Sequence, residues 1–174
     1  HRFTMLKVDL GLLDREGSVS VAASVAADDG LWNETNIRWA SAVDVQLQAT
    51  LAGTGQVVVR GRVRGALHLE CKRCLQPVES QFGGALTLVF QSEESETDDE
   101  DTGAYLLDPK GSELDVSEAV REEVILAMNP YAVCKPDCQG LCPMCGTNLN
   151  EGSCDCTEDE VDPRWGALRN LKSE

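Results

Sequence analysis

The sequence has few positive charges for its length. Fifteen lysine and arginine residues stand against thirty aspartate and glutamate residues, and the formal net charge is −15. A field of this sign argues against tight, non-specific binding of nucleic acid over the whole surface, although it permits a local basic patch. It also suits a partner that is itself basic.

Long apolar runs are missing as well. No stretch approaches the length that crosses a bilayer, and the first ten residues contain no hydrophobic segment of the signal-peptide type. We therefore expect a cytoplasmic protein with no membrane partner. Because thiols stay reduced in that compartment, the eight cysteines favour metal binding over disulfides.

The familiar patterns of catalytic residues are also absent. The sequence contains no carboxylate cluster with metal-ligand spacing, no nucleophile–base pattern and no phosphate-binding glycine loop. We therefore expect no catalytic residues, no enzymatic activity and no small-molecule substrate.

The first ninety residues have the alternating pattern of β-strands. Residues 18–26, 41–53 and 81–90 read as short strands joined by turns that contain glycine. In the second of these segments the apolar side chains share one parity, at Val43, Val45, Leu47, Ala49 and Leu51. The sequence predicts an α+β protein whose body is an antiparallel, β-rich sheet.

One main helix is predicted after the strands. Val116, Val120 and Val124 keep helical spacing, and Pro130 ends the pattern. Asp115, with a glutamate three residues later, is expected to cap the start of this helix.

The chain is predicted to divide into two parts. Residues 5–130 form the β-rich body and its helix, interrupted at 92–102 by an acidic segment that we expect to be a disordered loop. Residues 131–174 form a cysteine-rich, zinc-binding module that ends in a short helix. The apolar stripe of that last helix comprises Trp165, Leu168 and Leu171.

The cysteines occur in pairs with the spacing of metal ligands. A two-residue gap lets one tight turn present two thiolates to one ion, and zinc takes four such ligands in a tetrahedron. Four of the cysteines lie close together in the sequence, so we assign them to one site. The other four are assigned to a second site. The sequence thus predicts two zinc ions, held by Cys71, Cys74, Cys134 and Cys138 and by Cys142, Cys145, Cys154 and Cys156.

Other uses of the cysteines stay open at this point. The same eight residues permit an interleaved pairing, and iron–sulfur clusters also take four thiolates. A thioredoxin-like redox role needs a strand-to-helix junction, whereas Cys71 follows one predicted strand and precedes another. A closed four-cysteine site leaves no position for water or substrate, which favours a structural role.

A short basic stretch, "VVVRGRVRG", stands out in this acidic chain. If it is a strand, its arginines lie on one face about 7 Å apart, and Val57, Val59 and Val63 lie on the other. Arginine grips phosphate oxygens well, so the stretch predicts contact with RNA; the alternative is a solvated face balanced by acidic residues. The predicted RNA-binding residues are Arg60, Arg62, Arg64, Lys72 and Arg73.

Three motifs in fixed order resemble a known family. "LECKRCLQPV" at 69–78, "CKPDCQGLCPMCGTNLNEGSCDC" at 134–156 and "DPRWGALRNL" at 162–171 are similar to the bacterial YceD family of large-subunit ribosomal RNA accumulation proteins. The helical stretch "EEVILAMNP" at 122–130 fits the family's helix. Residues before about position 60 resemble the family in their β pattern only.

The resemblance implies a cytoplasmic, non-enzymatic factor that supports accumulation of large-subunit (23S) ribosomal RNA. Its implied partners are that RNA or its precursor, a basic ribosomal or assembly protein, or both. Two other functions stay open. The chain could be an acidic, zinc-stabilised adaptor that binds ribosomal or assembly proteins without touching RNA, or, less in keeping with its motifs, an RNA-processing enzyme.

Overall fold

The structure is a computed structural model that describes residues 4–53, 55–92, 103–108 and 111–156. Apart from Ser92, the predicted acidic loop lies outside the described residues. The predicted C-terminal helix lies outside them too.

The described elements are two helices, seven strands and one short 3-10 turn. In chain order they are β1 Lys7–Asp9, α1 Leu10–Glu16, β2 Ser18–Val25, the 3-10 turn Gly30–Trp32, β3 Val43–Leu51, β4 Gln56–Glu70, β5 Pro77–Gln91, β6 Tyr105–Leu106, β7 Glu113–Asp115 and α2 Ser117–Ala127.

A five-stranded sheet forms the body, in the order β2-β3-β4-β5-β6. The first four strands are antiparallel to their neighbours, and β6 runs parallel to the end of β5. A second, two-stranded sheet joins β1 to β7. The α+β class and the antiparallel, β-rich body are as the sequence predicts.

One face of the main sheet carries the core. In β3 the predicted parity holds for Val43, Val45, Leu47 and Ala49, which are buried, whereas Leu51 at the strand end is 47% exposed. Val57, Val59 and Val63 of β4 lie on this face, together with the buried apolar residues of α2. The opposite face has no layer packed on it among the described elements, so β4 presents its arginines to solvent.

Two glycines in β4 let its neighbours come close. A side chain at Gly61 would strike the carbonyl oxygen of Gln46 in β3, and one at Gly65 would come within 2.9 Å of the Phe82 ring. Glycine is therefore required at both positions for the sheet to close over its core.

The main helix begins one residue later than its predicted cap implies. Val116, not Asp115, is the residue before the first turn, and Asp115 ends β7. The Asp115 carboxylate still accepts a hydrogen bond from the Ser117 amide at 2.9 Å. Val116, Val120 and Val124 are buried as predicted.

Helix α1 was not predicted, although its caps are visible in "DLGLLDREG". The Asp9 carboxylate accepts from the Leu12 amide, and Gly17 ends the helix with a φ of 75°. None of the described helices is long and apolar enough to span a bilayer.

Candidate metal centres and basic face

The eight thiols gather in two groups of four. Within each group every Sγ atom lies within 4.8 Å of the other three. The grouping is the predicted one: Cys71, Cys74, Cys134 and Cys138 form the first, and Cys142, Cys145, Cys154 and Cys156 form the second. We call these the hairpin cluster and the C-terminal cluster.

Spacing in the hairpin cluster fits a tetrahedral metal ion. The Sγ atoms of Cys71 and Cys138 are 3.8 Å apart, and those of Cys74 and Cys134 are 3.6 Å apart. Four sulfurs about 2.3 Å from one central ion are about 3.8 Å from each other. The residues therefore fit a four-thiolate metal, which would hold the strands and the segment after α2 together.

The turn between β4 and β5 presents the first two thiols. Glu70 pairs with Pro77 at the end of the ladder. Beyond that pair, the Cys71 amide donates to the Gln76 carbonyl at 2.8 Å, and the Leu75 amide donates to the Cys71 carbonyl at 2.9 Å. These two bonds close a tight turn around the Cys71–Cys74 pair.

The C-terminal cluster begins with the same turn. Leu141 and Asn148 form an isolated bridge where the first hairpin has its last pair. The Cys142 amide donates to the Thr147 carbonyl at 2.8 Å, and the Gly146 amide donates to the Cys142 carbonyl at 2.9 Å. Two stretches that share little beyond the cysteine spacing thus adopt the same turn.

Both turns need a left-handed residue after the second cysteine. Gly146 fills this position with a φ of 74°, a conformation that glycine adopts without steric cost. Leu75 fills it in the first turn with a φ of 60° and an exposed side chain. A leucine costs about 1 kcal/mol in this conformation, so contacts elsewhere must hold the first turn closed.

The two clusters differ most in burial. In the hairpin cluster Cys71, Cys74 and Cys138 are buried and only Cys134 is exposed. In the C-terminal cluster Cys142 alone is buried. Val78 and Leu141 pack against the hairpin cluster, which gives it a small apolar core of its own.

Arg73 joins the parts of the hairpin cluster. One guanidinium nitrogen donates to the carbonyl oxygens of Pro136 and Cys138 at 3.2 and 3.0 Å. The Arg73 amide donates to the Cys71 sulfur at 3.4 Å, and its carbonyl accepts from the Leu141 amide at 2.9 Å. This side chain, predicted to contact RNA, thus has a structural role that its charge alone did not indicate.

Asn150 connects the clusters and was not among the predicted site residues. Its side-chain amide donates to the Cys138 sulfur at 3.4 Å, while its carbonyl oxygen accepts from the Gln139 amide at 3.0 Å. It belongs to the loop between Cys145 and Cys154, so the C-terminal cluster supplies a donor to a thiol of the hairpin cluster. A polar residue in a polar loop carries no sequence signal for such a contact.

Ionisation is unequal among the thiols of the hairpin cluster. Burial opposes ionisation of Cys71, but the amides of Cys134, Cys74 and Arg73 outweigh it and lower the pKa of Cys71 to about 6. Burial and the neighbouring thiols raise the pKa of Cys134 to about 12. Four crowded thiols therefore cannot all lose their protons unless a cation replaces those protons.

The C-terminal cluster has the same asymmetry from different causes. Hydrogen bonds from the hydroxyl and amide of Thr147 lower the pKa of Cys145 to about 6. The neighbouring Cys145 thiol and burial raise the pKa of Cys156 to about 12. Each cluster thus contains two thiols whose pKa is lowered and which can bind a cation first.

The predicted arginine stripe lies on the open face of the sheet. Arg60, Arg62 and Arg64 are exposed on β4, as the strand parity requires. The Arg64 guanidinium is 3.3 Å from an Asp44 carboxylate oxygen on β3. Arg60 and Arg62 have no ion pair with a described residue, which leaves their charge available to a ligand.

Small side chains flank these arginines and leave hollows beside them. A hollow of about 420 Å³ lies over β4 and β5, next to Gly83 and Ala85. A second, of about 630 Å³, lies over β2 and β3, next to Ser20 and Ala22. The arginines therefore stand between two shallow depressions that are open to solvent.

Lys72 is exposed at the far end of β4, between two cysteines of the hairpin cluster. Arg38 and Glu70 form an ion pair at 4.0 Å near the same strand end. Lys72 is thus a separate cation beside the metal-binding turn.

A family comparison agrees with the three motifs. The family model described as "Large ribosomal RNA subunit accumulation protein YceD" matches residues 59–172, well over half of the chain. The match includes all eight cysteines and the arginines of β4.

Curated relatives come from bacteria and plants. An uncharacterized protein of Mycobacterium tuberculosis is 34% identical over 129 residues, which cover 72% of this chain and 60% of the relative. A Zea mays protein named "Large ribosomal RNA subunit accumulation protein YCED homolog 1, chloroplastic" is 27% identical over 91% of this chain and 63% of its own length. An Arabidopsis thaliana protein of the same name is 39% identical over 38% of this chain and 21% of its own length.

The chain thus spans about 60% of the length of the mycobacterial relative. No solved structure matches the chain significantly.

Proposed function

This chain belongs to the YceD family, and from that premise we propose that it supports accumulation of large-subunit (23S) ribosomal RNA by binding rather than by catalysis. The family match over residues 59–172 carries this proposal. The plant relatives are named for the same role. The predicted division at residue 130 and the cytoplasmic location remain part of the proposal.

In this proposal two zinc ions hold the fold. Each group of four thiols supplies soft ligands, and the short turns and amide donors around them suit a structural zinc site. Elemental mass spectrometry of protein purified under reducing conditions without added metal tests this. Two zinc ions per chain are expected, and iron or no metal would contradict it.

The open face of the sheet is the proposed contact with RNA. Arg60 and Arg62 are exposed and unpaired among the described residues, and Arg64 shares its charge with Asp44. Lys72 is a separate cation beyond the end of β4, and Arg73 already donates to two carbonyl oxygens. Phosphate groups of the RNA backbone are the ligand that such arginines grip best.

A second candidate function is supported by the overall charge. A net charge of −15 favours a basic protein partner over RNA outside the arginine face. In that case the chain is an adaptor that binds a ribosomal or assembly protein and never touches RNA.

Charge reversal tests the RNA contact in cells that depend on this chain. Replacing Arg60 and Arg62 by glutamate is expected to lower the ratio of large-subunit to small-subunit ribosomal RNA. Reversal of Arg15 on α1 and Arg38 in the loop before β3, which are both exposed, changes net charge equally and serves as the matched control. Equal ratios in both variants would contradict a role for the arginine face.

Capture of partners after nuclease treatment separates the two functions. Recovery of ribosomal proteins that depends on intact RNA supports direct RNA contact. Recovery that resists nuclease, with both arginine variants equal, supports the adaptor. Turnover of precursor RNA by the purified chain would contradict binding without catalysis.

A further inference from the structure

Two rows of exposed side chains cross the open face of the main sheet at Arg60 and Arg62. In the first row, Arg60 of β4 lies opposite Gln48 of β3 and Thr87 of β5. Ser20 of β2 continues this row beyond Gln48. All four side chains are exposed, and neighbours in the row are about 5 Å apart, which is the spacing of paired strands. The Arg60 guanidinium therefore lies among groups that form hydrogen bonds.

The second row repeats the guanidinium and the amide one step further along the sheet. Arg62 lies opposite Gln46 of β3 and Ala85 of β5, and all three are exposed. Alternate residues of a strand lie about 7 Å apart on one face. The two arginines thus form a line along β4, and the two glutamines form a parallel line along β3.

A third row differs, because its charged groups satisfy each other. The Asp44 carboxylate accepts from the Arg64 guanidinium at 3.3 Å and from the Ser24 hydroxyl at 2.9 Å. In the described part of the chain, no side chain of the first two rows has a hydrogen bond or an ion pair. Two guanidiniums, two amides and two hydroxyls are therefore available to a ligand.

These groups match the outer surface of a ribose–phosphate backbone. A guanidinium only donates hydrogen bonds and always carries charge, so Arg60 and Arg62 require anionic acceptors such as phosphate oxygens. A glutamine amide both donates and accepts, so it suits a hydroxyl group, which does both as well. The ribose 2′-hydroxyl is such a group, and it is present at every nucleotide of RNA. The line of arginines and the line of glutamines thus fit phosphates and riboses of one backbone.

The described residues of these rows give an unpaired base no aromatic ring to stack on. Small or polar side chains and arginine make up both rows, whereas Trp32 and Trp39 pack on each other in the core with ring centroids 4.5 Å apart. Proteins that bind single strands commonly stack the bases on aromatic side chains. A duplex already has its bases stacked inside and presents phosphates and hydroxyls outside. The face therefore suits a duplex better than a single strand.

Building on the proposed function, in which the open face contacts RNA, we propose that its ligand is double-stranded RNA held by the ribose–phosphate backbone. Arg60 and Arg62 bind phosphates, and Gln46 and Gln48 bind 2′-hydroxyls, which distinguish RNA from DNA. Recognition is then of the shape of the helix rather than of its base sequence. Helical segments of ribosomal RNA or of its precursor are ligands of this class.

Fluorescence anisotropy with the full chain compares three labelled probes of equal length, namely duplex RNA, single-stranded RNA and duplex DNA. Duplex RNA is expected to bind more tightly than either other probe, and two duplexes of unrelated sequence are expected to bind equally. A single strand that binds as tightly as the duplex would overturn the proposal while leaving the contact with RNA in place. Failure to bind any of the probes would contradict the proposed contact with RNA itself.

Two double substitutions separate the charges from the amides. Arg60→Ala with Arg62→Ala is expected to weaken binding of both duplexes and to reduce the slope of log affinity against log salt concentration by about two. Gln46→Ala with Gln48→Ala is expected to weaken binding of duplex RNA about fivefold and to leave duplex DNA unchanged. Gln81→Ala is the matched control, because Gln81 is exposed on the same face of the sheet, beyond the third row.

The ratio of RNA to DNA affinity decides the role of the glutamines. An equal loss for both duplexes in the glutamine variant, or the same loss in Gln81→Ala, would overturn the assignment of the two amides to 2′-hydroxyls. The comparison of the three probes uses the unaltered chain, so it decides the choice between duplex and single strand even where a variant fails to fold.

Discussion

The hairpin cluster and the C-terminal cluster share one turn but differ in what surrounds it. In both, an amide donates across the turn to a carbonyl five residues on, and the residue after the second cysteine has a positive φ. The hairpin cluster joins Cys71 to Cys138, 67 residues apart, whereas the C-terminal cluster lies within residues 142–156. Ligand geometry is therefore local, but the consequence of binding depends on how much chain each cluster closes.

Serine substitution in each turn is expected to give the largest difference in stability between the two clusters. Cys71→Ser removes a ligand that ties the sheet to the segment after α2, and should lower the free energy of unfolding by about 4 kcal/mol. Cys145→Ser removes a ligand from a site outside the main core, and should change unfolding of the β-body by less than about 1 kcal/mol. Urea unfolding, followed by circular dichroism, measures both.

Similar losses in the two variants would show that the clusters form one cooperative unit. Cys154→Ser is a further control, because it alters the same exposed site outside the turn and should resemble Cys145→Ser.

Removing the Asn150 amide tests whether the clusters are independent. Asn150→Ala deletes the donor to the Cys138 sulfur, and loss of such a neighbour of a metal ligand weakens binding about tenfold or more. We expect faster transfer of one zinc ion per chain to a chromogenic chelator. Gln139→Ala is the control, since that side chain donates only to the Asp137 carbonyl.

Alkylation of the metal-free protein compares two exposed thiols of one cluster. Thr147 holds the pKa of Cys145 near 6, below its ordinary value, so the thiolate persists as pH falls until it is protonated through about pH 6. Cys156, with its pKa raised to about 12, stays protonated throughout. Iodoacetamide labelling with peptide mass spectrometry at pH 7 should therefore modify Cys145 much faster.

Equal rates at both thiols, rising near the ordinary thiol pKa, would show that the turn loses its geometry without metal. Thr147→Val should slow labelling of Cys145 at pH 7, because it removes the hydroxyl that lies 3.1 Å from the sulfur.

Relief of backbone strain is the smallest expected effect. Leu75→Gly lets the first turn adopt its positive φ at no steric cost, and should stabilise the folded chain by at most about 1 kcal/mol. Gly146→Ala imposes the reverse change on the second turn and should weaken only the C-terminal cluster. Urea midpoints and zinc retention measure the two effects.

Patterned residues were predictable from the sequence. The alternation in β3 placed its valines in the core, and the cysteine spacing grouped the thiols, because both depend on local geometry that recurs in many proteins. Helix α1 was missed since its seven residues are too few for a clear helical period, although Asp9 and Gly17 mark its ends.

Residues that act through a single contact were not predictable. Asn150 reaches a sulfur of the other cluster, and Arg73 donates to carbonyls from a segment more than sixty residues away. Charge suggested a ligand for Arg73, but only the packing of the turn against residues 134–138 shows what its guanidinium contacts. Such contacts depend on the assembled fold and have no local pattern.

The long gap within the hairpin cluster also has a consequence for protein synthesis. Cys74 leaves the ribosome 60 residues ahead of Cys134, so the nascent sheet carries an open pair of thiols until α2 has followed. In the proposed two-zinc fold, metal capture there would be the step that fixes the sheet to the segment after α2, whereas the C-terminal cluster closes within one short stretch. In metal-starved cells, newly made chains would stay open at this hinge and become substrates for proteolysis, so their abundance would follow zinc supply.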